Sequence, residues 1–125
     1  MKKVIFTEEA PAAIGPYSQA IEANGMVFVS GQLPVDPATG EFAPGGVAEQ
    51  TTQSFENIKN ILAEAGLTTA HIVKTTVFLA DMALFADMNA VYAKYFDGDY
   101  PARSAVAVKA LPKGALVEVE CIAVR

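Results

Sequence analysis

A chain of 125 residues, 52% hydrophobic and only 18% charged, predicts one domain spanning residues 1–125. Its surplus of apolar surface is suited to a homo-oligomer. The net charge of −5, with no basic run, argues against nucleic acid as a partner. No stretch approaches the ~20 apolar residues that cross a bilayer, so no membrane partner is expected. A lone cysteine, Cys121, and a lone histidine, His71, exclude an intrachain disulfide and a zinc site of Cys and His ligands. Neither metal nor other cofactor is therefore expected. The start, Met1-Lys2-Lys3-Val4-Ile5-Phe6, is too short for a signal peptide, which makes a cytoplasmic location the default.

Val4-Ile5-Phe6 reads as a short opening strand. Ala10 to Pro16 is a loop, because its prolines and glycine do not fit a sheet ladder. Tyr17 to Ala23 and Met26 to Ser30 then form a hairpin across Asn24-Gly25, a dipeptide suited to a turn with positive φ at both central residues. A long loop runs from Gly31 to about Gly46. Beyond it the period changes. Phe55, Ile58, Ile61, Leu62 and Ala65 recur at helical spacing in a helix from Val47 to Ala65, and Gly66 supplies the stop.

Ile72 to Leu79 is β-branched and apolar, a strand buried on at least one face. Asp81 is placed to cap a second helix running to about Phe96. After Pro101 come two strands, Ser104–Lys109 and Leu116–Val124, read as neighbours because a short connection joins them. The order predicts an α+β fold: a two-layer sandwich of a mixed β-sheet with two helices on one face. The chain supplies no cover for the other face, a second reason to expect assembly.

Arg103 follows Pro101-Ala102 at the entrance to a strand, where a planar guanidinium can grip a carboxylate through two parallel hydrogen bonds or simply stand in solvent. Glu118 and Glu120 alternate with Val117, Val119 and Cys121, so both carboxylates share one strand face. They are either solvated there, or one is buried enough for its pKa to rise into the range of a general acid or base. Arg103 and a glutamate would make a minimal kit for hydrolysing a small carboxylate substrate, within one chain or across a subunit boundary. The same pair would also serve as a structural salt bridge.

Gly31, after Ser30, either allows close backbone approach to an anion or simply ends the strand in a turn. Tyr17 offers a pocket wall with a hydroxyl, or ordinary packing. Asn89 falls on an apolar helical stripe with Phe85, Tyr92 and Phe96, where a buried amide needs partners, either a ligand or a neighbouring loop that it ties down. Cys121 reads as a small core hydrophobe and His71 as a surface turn residue.

These residues lie within segments that resemble the reactive intermediate deaminase A family. The resemblance is carried by Ala13-Ile14-Gly15-Pro16-Tyr17-Ser18-Gln19-Ala20, Val29-Ser30-Gly31-Gln32-Leu33-Pro34 and Lys74-Thr75-Thr76-Val77-Phe78-Leu79. It continues through Pro101-Ala102-Arg103-Ser104-Ala105-Val106 and Leu111-Pro112-Lys113-Gly114 leading into Glu118-Val119-Glu120. It implies a chorismate-mutase-like fold, a homotrimer with three sites at subunit interfaces, and hydrolysis of 2-iminopropanoate and 2-iminobutanoate to 2-oxo acids and ammonia without a cofactor.

By position, the resemblance gives Arg103 the substrate carboxylate and Glu118 the attacking water and proton transfer. Tyr17, Ser30, Gly31 and Asn89 match pocket positions. Ala105 stands where many members have cysteine, at a contact made by main chain. Two other readings compete: a non-catalytic trimer that binds 2-oxo acids, and an RNA-directed nuclease.

Overall fold

Asn24 and Gly25 take φ of 52° and 73°, the positive pair expected for their turn. The turn pairs β2 (Ala20–Ala23) antiparallel with β3 (Met26–Gln32), and β1 (Lys3–Ile5) adds antiparallel to β2. The structure, a computed structural model, describes all residues from Met1 to Arg125. β2 starts three residues later than the sequence suggests, because Pro16 holds a tight turn in which the Tyr17 N–H donates to Gly15 O at 2.8 Å. Tyr17 is therefore a loop residue. β3 runs two residues further than expected, carrying Ser30 and Gly31 inside the strand at an irregularity between Val29 and Gln32.

Helix α1 (Val47–Glu64) opens with Glu49 Oε1 accepting from the Gly46 N–H at 2.8 Å, and Gly66, at φ 76°, follows its end. Its inner stripe of Phe55, Ile58, Ile61 and Leu62 is wholly buried. Each such side chain contributes about 1.5–3 kcal/mol through burial. Two amides on the same helix bind other segments: Gln50 Oε1 accepts from the Leu116 N–H, and Asn57 Nδ2 donates to Leu33 O and Val35 O. The long loop and the entry to the last strand are thereby tied to α1.

β4 (Ile72–Leu79) leads to a 3₁₀ turn, Met82–Leu84, and then to α2 (Phe85–Ala93). Asp81 caps the turn, its Oδ1 accepting from the Ala83 N–H at 2.8 Å, and the α-helix stops three residues short of Phe96. β5 (Ala102–Ala107) begins earlier than expected and contains Arg103, while β6 (Val117–Val124) is close to its predicted span.

The sheet order is β1-β2-β3-β6-β4-β5, mixed because β4 and β5 run parallel and every other pair antiparallel. The expectation that the last two strands are neighbours is thus overturned. Parallel strands need a crossover, and α2 supplies it between β4 and β5, leaving β6 to fill the gap between β3 and β4.

Both helices cover one face of the sheet, closing a core of 21 buried residues that includes Val117, Val119, Cys121 and Ala123 of β6. Burial, with a smaller contribution from Glu120, pushes the Cys121 thiol up to about 12, so it stays protonated as a core hydrophobe. The opposite face is open: Phe28 is 41% and Val106 45% exposed, beside the partly exposed Ile21, Phe78 and Ile122. Apolar residues ranged in this way over a sheet suit a contact with another molecule. No helix is long and apolar enough to cross a membrane.

Candidate active site

Arg103 lies opposite Thr75 in the parallel β4–β5 ladder, and directly paired residues project to the same side. Thr75 faces the helices, so the guanidinium reaches α2. Its Nη1 donates to Asn89 Oδ1 at 2.6 Å, and its carbon stands 4.6 Å above the Tyr92 ring centre and 5.3 Å from that of Phe85. Neither ion pair of the chain, Lys59–Glu56 or Arg125–Glu22, involves Arg103. A half-buried cation held only by an amide and two rings retains unused donors for an anion. A cleft of about 500 Å³ opens beside it, lined by Asn89, Tyr92, Ala93, Tyr100, Pro101 and Arg103. Ala105, two residues along β5, is half-buried on the same side.

Glu118 belongs to the other face. It pairs with Phe78 and alternates with the fully buried Val117 and Val119, so it points away from the helices. Its carboxyl lies against Gly31: a Cβ at that position would stand 2.5 Å from Oε2 and 3.0 Å from the carboxyl carbon. Glycine at 31 is what leaves room for the acid. Burial, and to a lesser degree the charge of Glu120, raise the Glu118 pKa above the ordinary glutamate value. The two glutamates share a face as expected but differ in setting, since Glu120 is exposed and Glu118 half-buried.

Ser30 Oγ donates to Ser18 O at 2.6 Å, next along the chain from Tyr17, which is half exposed. His71 Nδ1 accepts from the Thr68 N–H and closes a surface turn. No group of three or more His, Cys, Asp or Glu side chains stands together.

The site residues named from sequence therefore form two groups. Arg103, Asn89 and Ala105 lie on the helix side at the β5 edge; Gly31 and Glu118 lie on the open side, with Ser30 beside them in β3 and Tyr17 in the preceding loop. β4 separates Arg103 from Glu118, about 10 Å across two strand spacings, and their side chains leave opposite faces. An intrachain Arg103–Glu118 pair is excluded by this topology. Thr75 and Tyr92, which brace the arginine, were legible only as a strand residue and a core aromatic.

A family model described as Endoribonuclease L-PSP matches residues 7–125. The chain belongs to this family. Among its relatives, a RutC family protein from Pyrococcus horikoshii is 55% identical over 123 residues, covering 98% of each chain. The 2-iminobutanoate/2-iminopropanoate deaminase of Mus musculus is 50% identical over 125 residues, covering all of this chain and 93% of its own. The crystal structure of the YjgF gene product from E. coli superimposes with a TM-score of 0.94 at 51% identity, covering 98% of both chains. The α+β architecture is thus the L-PSP family fold, and the deaminase resemblance extends over the full length of the chain.

Proposed function

We propose that the chain hydrolyses 2-iminopropanoate and 2-iminobutanoate to the 2-oxo acids and ammonia, as one deaminase domain in a cytoplasmic homotrimer. Full-length mammalian relatives that carry the deaminase name support the reaction. Arg103 carries the site assignment: it is a braced, half-buried guanidinium without a counter-ion.

The substrate carboxylate docks on the free donors of Arg103, which fixes the adjacent imine carbon. Water attacks that carbon while Glu118 takes its proton. The same carboxyl returns that proton to nitrogen to give the carbinolamine, then relays the hydroxyl proton to the amine, and the C–N bond breaks to release the ketone and ammonia. The imine is already electrophilic, so orientation and proton transfer supply what the reaction needs. Tyr17, Ser30, Gly31, Asn89 and the Ala105 main chain complete the pocket.

Because Arg103 and Glu118 leave opposite faces of one sheet, a pocket that uses both takes them from two copies. The uncovered apolar face is the surface such an assembly needs. Nucleic acid is not among the proposed partners: nine Lys and Arg against fourteen Asp and Glu give a net charge of −5, the wrong sign for a phosphate backbone despite the family's description.

The direct test is ammonia or 2-oxo acid release from freshly generated 2-iminopropanoate. The protein is expected to accelerate release above the spontaneous rate. Release at the spontaneous rate, at every protein concentration, would remove the deaminase reading.

A further inference from the structure

We infer that Tyr92 and Thr75 are positioning residues for Arg103, holding its guanidinium in the one attitude that presents its free donors to a substrate carboxylate; the inference rests on the reading of Arg103 as the carboxylate anchor. Four side chains form a closed circuit through β5, α2 and β4. Arg103 Nη1 donates to Asn89 Oδ1, and the guanidinium lies over the Tyr92 ring. The Tyr92 hydroxyl and Thr75 Oγ1 are 2.7 Å apart. Thr75 returns the circuit to its start, because it stands opposite Arg103 in the β4–β5 ladder.

Each link removes a different freedom. Asn89 and Tyr92, three residues apart, share one face of α2, so the helix offers an acceptor and a ring to the same cation. The ring's negative face attracts the cation and fixes the plane of the fork. Asn89 fixes its rotation within that plane by engaging one terminal nitrogen. The remaining donors make no hydrogen bond to the protein. An unbraced arginine would have to order several torsions when substrate binds, whereas this one is ordered beforehand.

The hydroxyl pair is the telling feature. Tyr92 is 4% exposed and Thr75 is fully buried, and packing alone would be met by Phe and Val at these positions. Instead each buries a hydroxyl whose partner is the other. Thr75 is β-branched and restricted at χ1, so its oxygen is a fixed point from which the phenol is held. The ladder that sets the Arg103 backbone thereby also sets the ring beneath its guanidinium.

The test compares steady-state kinetics on 2-iminopropanoate, together with thermal unfolding, for Tyr92→Phe, Thr75→Val, their double variant, Thr75→Ser and Arg103→Ala. Loss of either hydroxyl is expected to raise KM about three- to tenfold with kcat within about twofold, the scale of one lost hydrogen bond. Thr75→Ser keeps the hydroxyl and is expected to retain wild-type KM. In the double variant no hydroxyl is left orphaned, so stability recovers toward wild type, yet KM stays raised as in the single variants.

A KM that is unchanged in Tyr92→Phe, Thr75→Val and the double variant, while Arg103→Ala raises it, overturns the inference and leaves the anchor standing. A KM that recovers together with stability in the double variant also overturns it, because the pair is then structural only. If Arg103→Ala itself leaves KM unchanged, it is the anchor reading that fails.

Discussion

Arg103→Ala is expected to reduce kcat/KM for 2-imino acid hydrolysis by roughly two to four orders of magnitude while leaving the fold intact. Two charge-assisted hydrogen bonds to a carboxylate are lost, about 3–5 kcal/mol together, at ~1.4 kcal/mol per tenfold. The expected loss sits mainly in KM, because the arginine engages a group that is charged in both the ground and transition states. Stability is little affected: the guanidinium is half-buried, and Asn89 Oδ1 is left beside an open cleft where water replaces the lost donor. Arg103→Lys preserves the charge but not the planar fork, and is expected to recover only part of the loss. Kinetics against freshly generated 2-iminopropanoate, with a melting curve for each variant, decide the matter. A melting temperature that collapses with activity would move Arg103 from the site to the scaffold.

Glu118→Gln is expected to act on the other kinetic constant. The amide fits the space over Gly31 but moves no proton, so kcat is expected to fall about 10²–10⁴-fold with substrate binding retained. Binding with no loss of kcat would withdraw the catalytic role of Glu118, whereas 2-oxo acid binding without turnover in the wild type would favour the binding trimer. The same substitution is expected to stabilise the fold at neutral pH. Burial first, and Glu120 second, disfavour the Glu118 carboxylate, so its pKa in the folded chain lies above the ordinary value of 4.5. A folded state that prefers the neutral acid loses stability as pH rises from that value through the raised one. Glutamine carries no charge and escapes the loss. The variant's melting temperature is expected to exceed wild type at pH 7 and to match it at pH 4. In the wild type, kcat/KM is expected to fall on the acid side as the carboxylate is protonated, at a pH above that of a solvated glutamate.

Where chain chemistry is local, the sequence was readable. Asn24-Gly25 had to turn with positive φ, the 3.6-residue spacing of Phe55 to Leu62 had to form a buried helical stripe, and the alternation along Val117 to Val124 had to divide core from carboxylates. Strand adjacency was not readable, because it depends on the crossover made by α2 rather than on the length of the connection between β5 and β6. That difference put β4 between Arg103 and Glu118, and the register of the ladders set them on opposite faces. The individual residues of the candidate site were legible as types in a pattern, whereas the circuit through Asn89, Tyr92 and Thr75 is a property of three elements at once. In the sequence Tyr92 is one aromatic among several on a stripe, and only the fold sets the Arg103 cation over its ring.

The division of Arg103 and Glu118 between two sheet faces has a consequence for how loss of function is inherited within an assembly. In the proposed trimer, a subunit lacking the arginine still lends a sound glutamate to one neighbour, and a subunit lacking the glutamate lends a sound arginine. The two impaired variants, Arg103→Ala and Glu118→Gln, dissociated and reassembled together, are expected to regain about a quarter of the wild-type sites by chance mixing. No recovery after exchange of subunits, verified by a mass-tagged partner, would mean that the two groups do not act together in a pocket shared between copies. Recovery would mean that damage in one copy is compensated by its neighbour.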